Sequence, residues 1–245
     1  MPTILISGAA SGIGKAFVEH YASDSANEII AIDISPITLP SSNVGDIKTF
    51  KVDVSSPESI STLISNLSSK SVDLVIHSAG IRGLVPSIHK AHPEDVARAE
   101  TLNNMDVETM LRTYQINTIG TFTLIRTLLP NLRLAATKNP GAQPKVIIMG
   151  SRMGSVSYNT AGGGYAYRAS KAALNAIVKS LSIDVPEVCF LSMHPGRVET
   201  GLVMSKEEGA IAPEESLRDM IQVIEKVGKE DSGQFVDRWG KDIGW

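Results

Sequence analysis

Seven short apolar runs, rich in β-branched residues, recur along the chain and are separated by longer segments. They are TILIS (3–7), EIIAID (28–33), TFKVDV (49–54), DLVIHS (73–78), KVIIMG (145–150), VCFLSM (188–193) and GQFVD (233–237). The intervening segments space apolar residues three and four apart, as on one helix face, for example at Ile60, Leu63, Ile64 and Leu67 or at Leu174, Ile177, Val178 and Leu181. Buried strands that alternate with helices predict a seven-stranded parallel sheet with helices on both faces, the doubly wound α/β architecture.

The length and composition favour a single domain that spans residues 1–245. A chain of 245 residues with 42% apolar residues can bury a large core. The most loop-like stretch, SPITLPSSNVGD at 35–46, is short enough to be one connection between elements. No linker, repeat or charge block divides the sequence, so we expect one folding unit.

The charge and the apolar runs exclude several classes of function. The net charge of −3 gives no basic excess for binding nucleic acid or anionic lipid, so neither partner is expected. No apolar run reaches the roughly 18 to 20 residues of a membrane span, and a cytoplasmic protein is predicted. Cys189 has no second cysteine to pair with and is predicted to be a small buried residue. No set of His, Cys and carboxylates has metal-ligand spacing, so no metal is predicted.

Three glycines follow the first predicted strand directly. Gly8, Gly12 and Gly14 lie where this strand would turn into a helix, and a helix N-terminus with free N–H groups is a binding site for a pyrophosphate. Asp33 ends the second predicted strand, where an acidic residue binds the ribose hydroxyls of a dinucleotide. The spacing G-x-x-x-G-x-G differs from the usual G-x-G-x-x-G, and glycines that merely form a turn are the alternative. Together the features predict a dinucleotide-binding Rossmann domain.

Tyr167 and Lys171 are spaced i, i+4 in GGGYAYRASKAALNAIVKSL, so both project from one face of a predicted helix. A free tyrosine has a pKa near 10, and an adjacent ammonium group lowers that pKa by stabilising the phenolate. The pair is therefore a candidate acid/base. The alternative is an ordinary solvated helix face, on which a Tyr and a Lys often occur four residues apart.

These motifs together resemble the short-chain dehydrogenase/reductase family over essentially the whole chain. The matching stretches are SGAASGIG (7–14), SAG (78–80), YQINTIG (114–120), IIMGSRMGS (147–155), YRASK (167–171) and HPGRVET (194–200). GGGYAYRASKAALN and the late APEESLRDM are most similar to the carbonyl-reductase branch with the C-factor-like and sniffer-like proteins. The resemblance implies an oxidoreductase that moves a hydride between a nicotinamide cofactor and a carbonyl or secondary alcohol.

The resemblance also implies a catalytic tetrad. Tyr167 would donate or accept the proton, and Lys171 would lower the pKa of Tyr167 and hold the nicotinamide ribose. Ser151 would hydrogen-bond the substrate oxygen, with Ser155 as the alternative because NTAGGG (159–164) lengthens the distance in sequence to Tyr167. Asn117 would anchor a water that leads protons to Lys171, unless it is a structural polar residue within its helix.

Cofactor contacts follow by the same resemblance. Gly8, Ser11, Gly12, Ile13 and Gly14 would line the pyrophosphate, while Asp53 and Val54 would meet the adenine at the end of the third strand. The remaining contacts would be made by Ser78, Ala79 and Gly80 beneath the ribose, by Tyr167 and Lys171, and by Pro195, Gly196, Val198 and Thr200 at the nicotinamide carboxamide. In each case a strand-end cap or a turn is the structural alternative.

The charges near Asp33 predict NAD rather than NADP. A 2′-phosphate would meet the like charge of Asp33, and NADP-dependent relatives normally supply a basic residue at the positions held here by Ser11 and Ile34. Lys15 follows the third glycine and is expected to point along the helix, away from the ribose.

His77 is the clearest departure from the family pattern, because HSAG stands at 77–80 where NNAG is usual. An imidazole can replace the hydrogen bonds by which an asparagine ties neighbouring strands together. We therefore expect a structural His77, with an altered local pKa or cofactor geometry as the alternative. His194 is likewise expected to be structural.

The predicted substrate walls are the stretch after the fourth strand (81–105), residues 152–165 and a substrate loop at about 197–212. Leu84, Val85, Met153, Tyr158, Leu202 and Met204 would line an open cleft, which favours a small apolar or aromatic ketone or alcohol. A simple surface loop is the alternative for 197–212.

Two other functions stay open at this point. A nucleotide-sensing protein without catalysis would characteristically lack the Tyr or the Lys, and both are present. A lyase or cyclase could use the same tetrad without redox chemistry. A homodimer or homotetramer, paired through helices at about 102–133 and 166–183, is implied by the resemblance alone, and the same branch also includes monomers.

Overall fold

A computed structural model describes residues 1–39, 45–138, 141–205 and 207–245, so part of the predicted connection at 35–46 lies outside the described residues. Seven strands form one parallel sheet in the order β3-β2-β1-β4-β5-β6-β7. They are β1 (Thr3–Ser7), β2 (Glu28–Asp33), β3 (Asp46–Lys51), β4 (Leu74–His77), β5 (Lys145–Met149), β6 (Cys189–His194) and β7 (Gln234–Asp237). The prediction of a doubly wound sheet is confirmed.

Helices cover both faces of this sheet. They are α1 (Gly12–Ala22), α2 (Pro57–Leu67), α3 (Pro86–Ala91), α4 (Val107–Tyr114), α5 (Thr121–Lys138), α6 (Tyr165–Asp184) and α7 (Pro213–Lys226). A π-helical segment, Gln115–Gly120, joins α4 to α5, and short 3₁₀ turns lie at Ala97–Glu100, Arg152–Gly154 and Lys229–Asp231. Among the described residues, no helix combines the length and the apolar character that crossing a bilayer requires.

Successive residues of each strand point to opposite faces, and this alternation builds two cores. Leu5 packs with apolar side chains of α2, α5 and α6 on one face. Ile4 and Ile6 pack with those of α1 and α7 on the other. Cys189 of β6 is fully buried, as predicted, and its thiol donates to the carbonyl oxygen of Gly228 at 3.1 Å.

The third strand begins and ends three residues earlier than its predicted bounds of 49–54. In the structure Asp46–Lys51 pairs with Glu28–Asp33 at the edge of the sheet, where polar residues can face solvent. Val52 and Val54 are buried, but they pack beneath the helices after the strand has ended. Their apolar character comes from this packing and not from strand pairing, which is why the sequence pattern shifted the strand.

The sheet order reverses at β1, whose neighbours are β2 on one side and β4 on the other. The connections that leave the carboxyl ends of β1 and β4 therefore diverge and leave a crevice between them. Ligands of open α/β sheets bind at such a switch point. We therefore expect a ligand to bind beside Ser7–Gly12 and the residues that follow His77.

Candidate active site

The turn between β1 and α1 requires glycine at Gly8. Gly8 has φ +68°, and a Cβ there would lie 2.8 Å from the backbone nitrogen of Ala79. Ser11 is the N-cap of α1 in an extended conformation, and its side chain makes no capping hydrogen bond among the described residues. Close backbone approach and an uncapped helix N-terminus fit a pyrophosphate group. Gly14 has a different role, since a Cβ there would collide with the carbonyl group of Gly8.

A cavity of about 340 Å³ opens beside this turn at the carboxyl ends of the strands, and we call it the first cavity. Most of the predicted cofactor residues line it: Gly8, Ser11, Gly12, Ile13, Asp33, Asp53, Val54, Ser78, Ala79, Gly80, Tyr167, Lys171, Pro195 and Thr200. Gly196 and Val198 line a neighbouring cavity instead. Residues that are far apart in the sequence therefore share one crevice.

The carboxylate of Asp33 is fixed at one end of the first cavity. Its Oδ2 accepts a hydrogen bond from the backbone nitrogen of Ala10 at 3.0 Å, and its Oδ1 accepts one from Ser35 at 2.8 Å. Lys15 lies on the other side of the α1 N-terminus, where its Nζ is 2.5 Å from Glu19 Oε1 and it lines a separate pocket. Lys15 is therefore paired with Glu19 and not with Asp33.

A second cavity, of about 530 Å³, shares one wall with the first. Ile13, Gly150, Tyr167, Pro195, Thr200 and Leu202 line both cavities. Ser151 lines the second cavity and Lys171 the first, so Tyr167 lies at the boundary between them. A group at that boundary can act on a ligand bound in either space.

The groups around Tyr167 have opposing effects on the pKa of its hydroxyl. Burial raises the pKa of Tyr167, while the guanidinium of Arg82 and a hydrogen bond with the Ser151 side chain lower it. Lys171 Nζ lies 5.7 Å from the centre of the Tyr167 ring and donates to the carbonyl oxygen of Met149 at 2.7 Å. Burial lowers the pKa of Lys171 to about 8.

The family model described as "short chain dehydrogenase" matches residues 2–210 of this chain. The chain is a short-chain dehydrogenase. It is 36% identical over 182 residues to the C-signal protein of Myxococcus xanthus, covering 74% of this chain and 96% of the relative. It is 32% identical over 254 residues to 1-hydroxy-2-glutathionyl-2-methyl-3-butene dehydrogenase of Rhodococcus sp. strain AD45, with both chains covered completely.

Solved structures agree with this assignment. Carbonyl reductase Sniffer of Drosophila melanogaster superposes with a TM-score of 0.81 at 25% identity, and both chains are covered completely. The NADPH-bound carbonyl reductase from chicken fatty liver superposes with a TM-score of 0.81 at 26% identity, covering 100% of this chain and 99% of that one. The prediction of an oxidoreductase close to the carbonyl-reductase branch is confirmed. As a member of this family, the chain uses a nicotinamide cofactor.

Ser151 and Ser155 occupy different environments in this short-chain dehydrogenase. Ser151 lines the second cavity, where its Oγ accepts from the Met153 nitrogen at 3.2 Å. Ser155 is 1% exposed, and its hydroxyl is bound to the carbonyl oxygen of Gly244 and to the hydroxyl of Ser157. The geometry favours Ser151 as the serine that faces a substrate and gives Ser155 a role in holding the C-terminal residues.

Asn117 lies within the π-helical segment, and its side chain is fully used. Its Oδ1 accepts from the Ile81 nitrogen at 2.8 Å, and its Nδ2 donates to the Ile81 oxygen at 2.8 Å and to Ser170 Oγ at 3.0 Å. Asn117 therefore ties the chain after β4 to α6, the helix that carries Tyr167 and Lys171. Because the side chain is occupied, only the backbone of Asn117 could anchor the predicted water, and this role stays a prediction.

His77 joins β1, β4 and α5 through its two ring nitrogens. Nδ1 lies 2.9 Å from Ser7 Oγ, and Nε2 lies 2.8 Å from Thr121 Oγ1. Because Thr121 donates its hydroxyl proton to the Asn117 oxygen, Nε2 is the nitrogen that donates and Nδ1 the one that accepts. Burial, with a smaller effect of Lys171, lowers the pKa of His77 to about 3. The hydrogen bonds agree with the expected structural role of His77, and its lowered pKa agrees with the alternative of an altered local pKa.

Arg82 was not predicted as a site residue. Its guanidinium carbon lies 5.1 Å from the centre of the Tyr167 ring, and its Nε and Nη2 donate to Glu100 at 3.0 and 2.9 Å. Lys171 was expected to lower the pKa of Tyr167, but burial raises that pKa, and the positive charge that opposes the rise is that of Arg82. Arg82 lies two residues after the SAG motif and within the predicted substrate wall 81–105, and this position was the available signal, since residues that follow a strand end line the crevice.

The expected apolar lining was only partly right. Met153, Tyr158 and Leu202 line the second cavity, whereas Leu84 lines a separate pocket with Leu202, Val85 is buried and Met204 is exposed. The second cavity is instead rich in arginine, with Arg82, Arg152, Arg168, Arg197 and Arg238 in its wall. Arg238 and Trp239 follow β7, and their place at a strand's carboxyl end was the signal that the sequence offered.

The loop at 197–212, predicted to form one substrate wall, is held together at its base by backbone hydrogen bonds. Glu199 N donates to the Ile211 oxygen at 2.8 Å, and Ile211 N donates to the Arg197 oxygen at 2.9 Å. Residues between these ends, including Leu202, Val203 and Glu207, line the second cavity, while Lys206 lies outside the described residues. In the described part of the chain, no group of three or more His, Cys, Asp and Glu side chains could hold a metal ion.

Proposed function

We propose that the protein is an NAD(H)-dependent oxidoreductase that transfers a hydride between the nicotinamide and the carbonyl or secondary alcohol carbon of a small apolar or aromatic substrate. The observation that carries this proposal is the position of Tyr167 in the wall shared by the two cavities. A dinucleotide in the first cavity and a substrate in the second would meet at its hydroxyl.

Tyr167 and the side chains around it would have different roles at the substrate oxygen. The bound nicotinamide supplies or accepts the hydride. In reduction the Tyr167 hydroxyl would give its proton to the carbonyl oxygen, while the Ser151 hydroxyl would donate a hydrogen bond to the same oxygen as charge develops there. In oxidation the same groups would act in reverse. Lys171 lines the first cavity, where its ammonium would hold the nicotinamide ribose.

The charges at Tyr167 suit this proton transfer. Burial keeps the pKa of Tyr167 above its ordinary value, which favours the protonated form that reduction needs, while Arg82 opposes that rise. Lys171 has a pKa of about 8 and so loses positive charge within the mildly alkaline range. Arg82 remains charged throughout this range because a guanidinium does not titrate there. Oxidation of an alcohol, which requires the phenolate, would therefore be favoured by higher pH.

The first cavity supports assignments for the rest of the cofactor. Ser11, Gly12 and Ile13 would contact the pyrophosphate, with Gly8 and Gly14 shaping the turn around it. Asp53 and Val54 would meet the adenine, and Ser78, Ala79 and Gly80 would pass beneath the ribose. Pro195, Gly196, Val198 and Thr200 would hold the carboxamide, since Pro195 and Thr200 lie in the wall common to both cavities.

Preference for NAD rests on Asp33. Its carboxylate lines the first cavity at the end of β2, where it would accept hydrogen bonds from the adenosine ribose and repel a 2′-phosphate. The neighbouring positions Ser11 and Ile34 carry no charge, and Lys15 is paired with Glu19. The chicken carbonyl reductase binds NADPH, so this proposal separates the present chain from that relative.

The experiment that tests the proposal follows the absorbance of reduced coenzyme during incubation with a panel of aromatic and aliphatic ketones and aldehydes. We expect turnover, with kcat/KM for NADH at least about tenfold above that for NADPH. Binding of NADH without turnover of any carbonyl or alcohol would favour a nucleotide sensor, and a product formed without change in the coenzyme would favour a lyase or cyclase. Better turnover with NADPH would contradict the preference for NAD and would suggest that Arg112, which also lines the first cavity, binds the 2′-phosphate.

A self-association surface is supported by the exposed face of α4. Val107, Met110, Leu111 and Tyr114 are exposed at i, i+3, i+4 and i+7. Such an apolar stripe on a helix surface fits a second copy of the chain, so we propose a homodimer or a homotetramer that uses α4, α5 and α6. Light scattering should give a mass above one chain for the native protein and one chain for Leu111→Glu. A single-chain mass for the native protein would contradict the proposal.

A further inference from the structure

Three polar atoms of two residues in the wall of the second cavity are buried without a hydrogen-bond partner among the described residues. They are Nε and Nη1 of Arg238, which follows β7, and Nδ1 of His194, at the end of β6. A buried polar atom without a partner is costly, so such atoms commonly face a ligand or a bound water. We call Arg152, His194 and Arg238 the cationic corner of the second cavity.

Each guanidinium of the cationic corner lies over an aromatic ring. The Arg152 carbon is 5.7 Å from the centre of the Tyr158 ring, and the Arg238 carbon is 4.2 Å from that of Trp239. Contact with a ring face fixes the plane of a guanidinium and leaves its N–H edge available for an anion. Both side chains are therefore oriented before any ligand arrives.

The two arginines of the corner differ in their carboxylate partners. Arg238 Nε lies 3.1 Å from Asp219 Oδ2, and its Nη2 lies 3.5 Å from Glu215 Oε1. Arg152 has no carboxylate partner within the described part of the chain. Both arginines act on the imidazole of His194, whose pKa burial lowers to about 4 with their help, while Asp237 opposes them. His194 is thus neutral near neutral pH, and the positive charge that no carboxylate of the corner matches is that of Arg152.

We propose that the cationic corner binds a carboxylate on the substrate, so that the enzyme acts on oxo-acids and hydroxy-acids with an apolar or aromatic body. This inference rests on the proposed function and names its substrate class. Ser151 and Tyr167 line the same cavity as the corner, so one molecule can place its reacting oxygen at Ser151 and Tyr167 and its acid group at the corner. The flat N–H edge of arginine matches the two oxygens of a carboxylate. The body would lie against Met153, Tyr158 and Leu202.

The test compares 4-formylbenzoate with its methyl ester, which has nearly the same shape and no charge. The ratio of kcat/KM for the acid to that for the ester is measured with the better reduced nicotinamide coenzyme. We expect a ratio of at least about ten in the native enzyme, falling with added salt because the attraction is electrostatic. The ratio should fall at least about tenfold in Arg152→Gln and in Arg238→Gln.

Arg126→Gln is the matched control. Arg126 is exposed on α5, and its guanidinium carbon lies 5.4 Å from the centre of the Phe122 ring, so it repeats the stacked geometry outside the cavity. The acid-to-ester ratio should not change in this variant. Arg152 is itself exposed, so Arg152→Gln tests the corner even if Arg238→Gln fails to fold.

Equal kcat/KM for acid and ester in the native enzyme, or a preference that survives Arg152→Gln, would overturn the carboxylate site. If neither aldehyde is reduced, the panel of ketones and aldehydes decides the proposed function, and calorimetric titration with 4-(hydroxymethyl)benzoate and its methyl ester decides the site separately. Tighter binding of the acid that is lost in Arg152→Gln would support the site. Equal binding of acid and ester would overturn it.

Discussion

The two cavities that meet at Tyr167 are built in different ways. The first is lined largely by residues that directly follow strands, such as Gly8, Asp33 and Ser78, and much of its surface is backbone. The second is lined by long side chains from dispersed segments, including Arg82, Arg152 and Arg238. One cavity is shaped by turns, the other by side chains that the fold brings together.

This difference bears on how each cavity can change. A turn that needs Gly8 at φ +68° and within 2.8 Å of a neighbouring backbone accepts no larger residue, so the first cavity is constrained by geometry. An exposed arginine in the second cavity can be replaced without disturbing the sheet. We therefore expect substitutions at the shared wall to stop the reaction, and substitutions on either side to change which molecules react.

The shared wall should show the largest effect. Tyr167→Phe should lower kcat by about 10² to 10⁴, because the ring still packs but can no longer exchange a proton. The dissociation constant of the coenzyme should stay within a few-fold, as measured by fluorescence titration. Lys171→Ala should harm both turnover and coenzyme binding. Native turnover in Tyr167→Phe would show that the boundary between the cavities is not the reacting position.

Substitutions in the first cavity, where the coenzyme would bind, should have the second-largest effect. Asp33→Ser combined with Ile34→Arg should reverse the ratio of kcat/KM for NADH to that for NADPH, a total change of about a hundredfold, because a repelling carboxylate is replaced by an attracting cation. Steady-state kinetics with both coenzymes measure the change. Lys15→Gln is the control, and its coenzyme ratio should match that of the native enzyme because Lys15 is paired with Glu19.

On the substrate side, Ser151→Ala should lower kcat at least about tenfold because one donor to the substrate oxygen is lost. Ser155→Ala should leave kcat near its native value and lower the melting temperature instead, since the Ser155 hydroxyl binds Gly244 and Ser157. The opposite pattern would assign the substrate to Ser155 and move the reacting position within the second cavity.

The last prediction concerns stability and not turnover, and it involves the buried His77. Its pKa of about 3 in the folded chain lies below the value of about 6.5 in an unfolded chain, so the unfolded state binds one more proton between these limits. The free energy of unfolding should therefore fall as the pH drops below about 6.5, by up to about 1.4 kcal/mol per pH unit from this group.

His77→Asn should remove that contribution and flatten the dependence on pH. The shorter amide cannot span Ser7 and Thr121 as the imidazole does, so we also expect a loss of about 1 to 3 kcal/mol at neutral pH. Urea unfolding at several pH values measures both quantities. An unchanged slope would show that His77 takes up no proton on unfolding.

Much of the fold could be predicted because strands and helices have different apolar periods. The strands around Ile4 and Ile29 were found with their correct bounds, since both faces of a central parallel strand are buried. The third strand was misplaced because its polar residues lie at an edge, while Val52 and Val54 are buried by helices. An apolar residue that is buried by a helix and one that is buried within a paired strand give the same pattern in a sequence.

The sequence by itself determined the architecture, the glycine turn and the candidate group of Ser151, Tyr167 and Lys171, because those features depend on local periodicity, local backbone conformation and motif order. The tertiary structure decided what surrounds them. Only folding places Arg82 over the Tyr167 ring and joins Arg152 to Arg238 and His194, from segments more than 40 residues away, in one cavity. The charge at a site is a sum over neighbours in space, and a linear sequence does not contain those distances.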